Sequence, residues 1–419
     1  MRKPHIGAAA RIRPDGQRES SEGADIITFS HLRWDFVFQR PQHLMSRFSR
    51  GGRRVFFFEE PIIGEAEPAS LEIRLCPKTG VFVLTPHYSS HLSRFAAEET
   101  LKLMLDGALA EQRIARPTLW YYTPTMYPFS RHIDACAVVY DCMDELANFR
   151  FAPAHLPLYE RDLIRDADVV FTGGYSLYEA KRSLHPNIYA FPSSVERAHF
   201  AAARSPNLTQ PQDQAEIPHP RLGFYGVIDE RMDFALIAAI ADARPDWSIV
   251  MVGPVAKVGQ DELPMRPNIH YLGGKSYDEL PRYLAGWDVA LMPFAINEAT
   301  RFISPTKTLE YLAGGKPIVS TPITDVVRQF GQLECVRIAQ TPAAFVAAAE
   351  AALGMQAGDK GLLRQADAVL AKLSWDRTFS RMNLLLKQAV RRRGGKSHSS
   401  APIYHREAFK PEIERRTEP

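Results

Sequence analysis

The sequence predicts an α/β protein made of two doubly wound domains that face each other across a cleft. Three observations carry this. Short apolar, strand-like runs alternate with helical periodicity from Ile26 to Phe191. The same alternation starts afresh at Leu222. Between the two runs, residues 204–220 turn Pro- and Gln-rich, the composition of a linker.

In the first run, Ile26–Phe29 reads as a strand, a helix begins near Arg40, and Val55–Phe58 is the next strand, which makes a βαβ opening. No G-x-G-x-x-G accompanies it, so a dinucleotide fingerprint is absent. Val81–Leu84, Thr118–Tyr122, Ala137–Tyr140 and Val169–Phe171 continue the strands, with helices over 93–115 and 159–166. His31, Arg33, Asp141 and Asp144 follow strand ends, where polar site residues collect in such sheets. The expected organisation is a disordered polar leader over 1–23, a first domain over 24–203, a linker over 204–220, and a second domain over 221–375. A final helix over 376–392 returns to the first domain, and a polar tail spans 393–419.

In the second run, three strands end in glycine: Leu222–Tyr225 at Gly226, Ser248–Val252 at Gly253, and Ile269–Leu272 at Gly273. Each glycine is either a plain turn residue or a place where a ligand approaches the backbone. Asp229, Glu230 and Arg231 follow the first of them. The strand 289–294 leads through a polar loop to Ser304-Pro305-Thr306, a helix start carrying Lys307 and Glu310 in its first turns, and the helix stops at Gly314-Gly315. A helix N-terminus at a parallel strand's carboxyl end suits an anion. Lys307 adds a cation for phosphate and Glu310 a carboxylate for sugar hydroxyls, so the stretch reads as a nucleotide-sugar site.

Length and composition bound the rest. The 419 residues suffice for two domains, with 45% hydrophobic and 24% charged residues, as in ordinary globular proteins. A net charge of +3 excludes a general nucleic-acid role. Cys76, Cys136, Cys142 and Cys335 are scattered without metal-ligand spacing, which fits reduced thiols in a cytoplasm. No apolar run approaches the roughly 18–20 residues that span a bilayer, and the basic N-terminus lacks a signal core.

Pro305, Lys307, Glu310, Tyr311, Gly315 and Pro317 form a P-x-K-x-x-E-Y-x-x-x-G-x-P series. With Gly226 and Arg231, Val252-Gly253, Leu272-Gly273 and Ser374-Trp375, this series resembles the GT-B glycosyltransferases, especially the family-four group. His31 to Leu44 resembles the opening of a bacterial subgroup associated with surface polysaccharide synthesis, and Phe191–Val195 a segment near the family's domain junction. The resemblance covers about residues 25–390. It implies a GT-B fold of two Rossmann-like domains, the second holding a nucleotide-sugar donor and the first an acceptor. It also implies retaining transfer to a saccharide or lipid-linked acceptor without cofactor or metal. By this resemblance Arg231 and Lys307 are catalytic, and His31 joins them from its place after the first strand. Gly226, Arg231, Gly253, Gly273, Asn297, Glu298, Thr300, Ser304, Pro305, Thr306, Lys307 and Glu310 bind the donor, and His31, Arg33, Asp141 and Asp144 the acceptor. One position departs: Phe302 stands where the group has a first glutamate, the residue that contacts the transferred sugar, and Asn297, Glu298 and Thr300 are its candidate substitutes.

Plainer roles stand beside these. Arg231 and Lys307 alone would be solvated cations, and Glu310 could pair with Lys307 three residues earlier. His31 alone would be structural, and acidic residues after strands often cap the next helix. A non-catalytic GT-B nucleotide-sugar-binding protein is an alternative, as is an epimerase or phosphorylase of the same architecture. The basic cluster Arg391–Lys396 is either a solvated helix end or a peripheral contact with the inner membrane surface.

Overall fold

The computed structural model describes residues 24–65, 68–355 and 360–396. The expected leader over 1–23 and most of the expected tail lie outside them. Among the described residues the strands form two sheets. The first contains β1 (Ile26–Phe29), β2 (Val55–Phe58), β3 (Ile62–Gly64), β4 (Ser70–Leu75), β5 (Phe82–Ser89), β6 (Thr118–Tyr121), β7 (Ala137–Cys142), β8 (Val169–Thr172) and β9 (Ile188–Ala190). Its order is β3-β5-β2-β1-β6-β7-β8-β9, parallel throughout except for β4, which pairs antiparallel with β5. The second contains β10 (Arg221–Tyr225), β11 (Ser248–Val252), β12 (Ile269–Gly273), β13 (Val289–Met292), β14 (Ile318–Ser320) and β15 (Val336–Ile338), in the parallel order β12-β11-β10-β13-β14-β15.

Parallel strands covered on both faces are apolar at most positions on either side. The first sheet obeys this: Ile27, Phe29, Phe56, Phe58, Leu119 and Tyr121 pack into one core. Their neighbours Ile26, Val55, Phe57 and Trp120 pack into another on the opposite face. The second sheet closes around a single core that includes Trp247, Trp287 and Tyr311. The last helix, Trp375–Lys396, lays Trp375, Met382, Leu386 and Ala389 into the first domain's second core.

The crossing between domains differs from the expected linker. Phe191 belongs to the first domain's core, whereas Val195, Phe200, Ala203 and Ile217 belong to the second's. The chain therefore changes domain at Pro192–Ser194, and 204–220 is stitched onto the second domain. The physical reason lies in its polar side chains. Gln214 accepts from the Trp287 indole N–H at 2.9 Å and donates to the Tyr283 carbonyl at 3.0 Å. Arg221 donates to the Ile217 and Ala215 carbonyls at 2.6 and 3.0 Å. Composition alone reads as a tether what side-chain bonding has fixed.

Candidate donor and acceptor site

Gly226 ends β10 with φ +141°, and a Cβ there would collide with the Lys307 side chain. That absence of a side chain lets the Lys307 ammonium lie over the strand end, 5.6 Å from the Phe224 ring centroid. Burial lowers its pKa, Glu310 opposes that, and no carboxylate lies within ion-pair distance among the described residues. Gly253, with φ +147°, sits against the Gly226 carbonyl, so a backbone neighbour excludes its side chain. The packing of β10 against β11 is by itself enough to require this glycine. Gly273, at φ +71° and exposed, is a turn glycine.

Lys307 and Glu310 rise from the helix Thr306–Ala313, whose N-cap, Pro305, offers no side-chain cap. Ser304 is used through its carbonyl, which accepts from the Ser193 hydroxyl at 3.1 Å. Glu310 is 8% exposed, and burial pushes its carboxyl up to about 7 against the pull of Lys307. It makes no ion pair with Lys307, so its role in such a pair is not the one seen. The Tyr225 hydroxyl is enclosed beside the Glu310 carboxyl, which it helps to keep ionised, and the Tyr277 hydroxyl is enclosed without a hydrogen-bond partner.

Arg231 is aimed by Asp229, which accepts from its Nε at 2.9 Å and its Nη2 at 2.6 Å. The loop after β13 is less open than expected. Thr300 is buried, with its hydroxyl bonded to the Ala295 and Asn297 carbonyls, while Asn297 Oδ1 accepts from the Thr300 N–H at 3.2 Å. Those two side chains hold their own loop, because a short polar turn satisfies its backbone first. Glu298 stays exposed beside Arg301, at 3.4 Å. Phe302 packs on the first domain's core under the Arg301 guanidinium and serves domain docking.

Across the cleft, Asp144 lies in the field of Arg231, Arg40 and Lys307, and burial raises its carboxyl. Asp141 is a correction. It is fully buried, and Arg40 holds both its oxygens, with Nε at 3.0 and 3.1 Å and Nη2 at 2.8 Å. Arg40 also donates to the Phe191 carbonyl at 2.6 Å, so the pair braces the crossing segment, and its complete burial keeps Asp141 from an acceptor. His31 has an enclosed Nδ1 without a partner, and burial with Lys257 nearby brings its pKa down to about 4. It is a neutral imidazole at pH 7. Arg33 donates to the Pro61 carbonyl at 3.0 Å. Sequence reasoning missed Glu60, which Arg33 and Lys257 both influence, and missed Phe149 and Arg150, which reach the second domain. A signal existed only for Tyr225, the residue before a strand-end glycine.

Residues 219–354 match the family model described as glycosyl transferases group 1. Over 307 residues the chain is 28% identical to TuaH of Bacillus subtilis (strain 168), assigned as a glycosyltransferase of teichuronic acid biosynthesis. That match covers 68% of this chain and 73% of TuaH. The chain is a nucleotide-sugar-dependent glycosyltransferase whose residues 219–354 match the group 1 domain. Its fold is GT-B. Sucrose-phosphate synthase from Thermosynechococcus elongatus superposes with a TM-score of 0.63 at 12% identity, covering 87% of this chain and 98% of that one. The Anabaena protein HepE, in complex with UDP and glucose, gives 0.61 at 13%, covering 87% and 99%. At such identity these likenesses establish the fold. Among the described residues of this glycosyltransferase, no helix is long and apolar enough to cross a membrane.

Proposed function

We propose that the enzyme transfers a sugar from a nucleoside diphosphate donor to a saccharide or lipid-linked acceptor, with retention, in surface polysaccharide synthesis. One observation carries the reading: Gly226 leaves room for Lys307, within the field of Arg231 and one helical turn from the buried Glu310 carboxyl. Lys307, Arg231 and the helix N-terminus would hold the diphosphate, and Glu310 the ribose hydroxyls. As the sugar–phosphate bond breaks, its electron pair goes to the diphosphate, where the two cations stabilise the growing charge. The acceptor oxygen bonds to the anomeric carbon, and its proton passes to the leaving phosphate oxygen. Asp144, His31 and Arg33 orient the acceptor. The cations are side chains, so the reading calls for no metal or cofactor.

A lipid-linked acceptor is supported by exposed apolar side chains near Arg33 and Glu60 in the chain, Phe36 at 49% and Ile63 of β3 at 57%. A cytoplasmic location is supported by four unpaired cysteines. Peripheral membrane contact draws less support, because Arg392 donates to Asn187 and Arg393 pairs with Asp168 in the first domain. The test is a panel of UDP, GDP, ADP and TDP sugars with saccharide and polyprenyl-linked acceptors, with product anomers read by NMR. Retained configuration with acceptor-dependent turnover is expected. An inverted product would refute retention and point to Asp144 or His31 as a base.

A further inference from the structure

The segment after β7 does more than carry Asp144. Asn148 Nδ2 donates to the Glu298 carbonyl at 3.0 Å, and the Arg150 N–H donates to Glu230 at 3.3 Å. Arg150 Nη1 reaches Glu262 at 3.1 Å and the Lys257 carbonyl at 3.2 Å. Between them, the Phe149 ring lies 5.7 Å from the Arg231 guanidinium and 5.2 Å from the Lys257 ammonium. The root of this strap is rigid. Lys181, 5% exposed, bonds Glu145 at 2.7 Å and Glu160 at 2.8 Å. At its tip Phe151 is 78% exposed with φ +67°, a conformation that a bulky residue adopts only under constraint.

Arg231 is thus held from two directions. Asp229 of its own domain grips the guanidinium edge, and an aromatic face from the other domain lies against it. The negative face of the ring also lets Arg231 and Lys257, two like charges, share one neighbour. The second hold exists only while the domains are docked.

We propose that Phe149 is a positioning residue for Arg231, locking the guanidinium for the leaving diphosphate only when the first domain docks. Binding of donor is thereby uncoupled from its activation, which limits loss of the sugar to water before the acceptor domain is in place. The inference rests on the assignment of Arg231 above.

The test uses the full chain and the nucleotide sugar that turns over fastest in the panel. Phe149→Leu should lower kcat by about tenfold or more while the donor KM stays within about threefold. Phe149→Tyr should restore activity. Replacing Phe149 by pentafluorophenylalanine, which keeps the ring's shape and reverses its quadrupole, should lower kcat as Leu does. That last arm separates a lost cation contact from a lost fold. In an Arg231→Lys background, Phe149→Leu should add little further loss. A kcat within twofold of wild type for Leu and the fluorinated ring, a Tyr variant as slow as Leu, or additive losses would each overturn the proposal. Wild-type kcat in Arg231→Lys alone would instead overturn the assignment of Arg231.

Discussion

Replacing Glu310 by glutamine should weaken nucleotide binding strongly in alkaline solution and only slightly in acid. In the unfolded chain this carboxyl titrates at 4.5, and in the fold at about 7. Below 4.5 it is protonated in both states and contributes no penalty. As pH rises toward 7 the unfolded chain ionises first, and the free protein loses up to about 3 kcal/mol, a loss complete above 7. Glutamine carries no such loss. The variant's melting temperature should therefore exceed that of wild type near pH 8 and match it near pH 4. Binding runs the other way. Ribose hydroxyls donating to the carboxylate are worth about 1.5–3 kcal/mol, a factor of about 10 to 100 in affinity. That advantage needs the ionised form. Titration calorimetry with nucleoside diphosphates at several pH values reads both effects, and wild-type binding should release a proton near pH 6. An unchanged affinity, or a loss equal at pH 6 and pH 8, would refute the role given to Glu310.

Three further outcomes follow from the same geometry. Asp141→Asn should destabilise the protein by about 3–5 kcal/mol, because it leaves Arg40 charged and buried; denaturant unfolding measures it, and donor KM should not move in the folded fraction. Gly253→Ala should destabilise by more than about 1 kcal/mol through its left-handed backbone and its clash with the Gly226 carbonyl, read as a lowered melting temperature. Asp144→Asn should raise the melting temperature at neutral pH, because burial raises this carboxyl as it does that of Glu310, and should lower kcat/KM for the acceptor by at least about tenfold, in steady-state kinetics with donor saturating.

Much of the second domain was legible because its signals are local. Gly226, Lys307 and Glu310 are separated by a sheet crossing, yet each occupies a spot that chain chemistry defines: a strand end, a helix first turn and the turn after it. The first domain was less legible because its decisive partners are distant in sequence. Asp141 and Asp144 look alike after one strand. Only the arrival of Arg40, a hundred residues earlier in the chain, sends the first into the core and leaves the second facing the cleft. Phe302 shows a similar limit, since its packing partner is the core of the other domain. Asn297 and Thr300 had the right polarity for a ligand, but a turn's own backbone claims them first. Residues 204–220 illustrate the converse, a polar composition in which the buried Gln214 is taken by a carbonyl and an indole and so fixes the segment to its domain.

The most direct test of the account is acceptor-dependent release of nucleoside diphosphate by Arg231→Ala beside wild type, at saturating donor. If Arg231 and Lys307 carry the leaving diphosphate, kcat should fall by about 10²–10³ while acceptor still governs release. A kcat equal to that of wild type would contradict it.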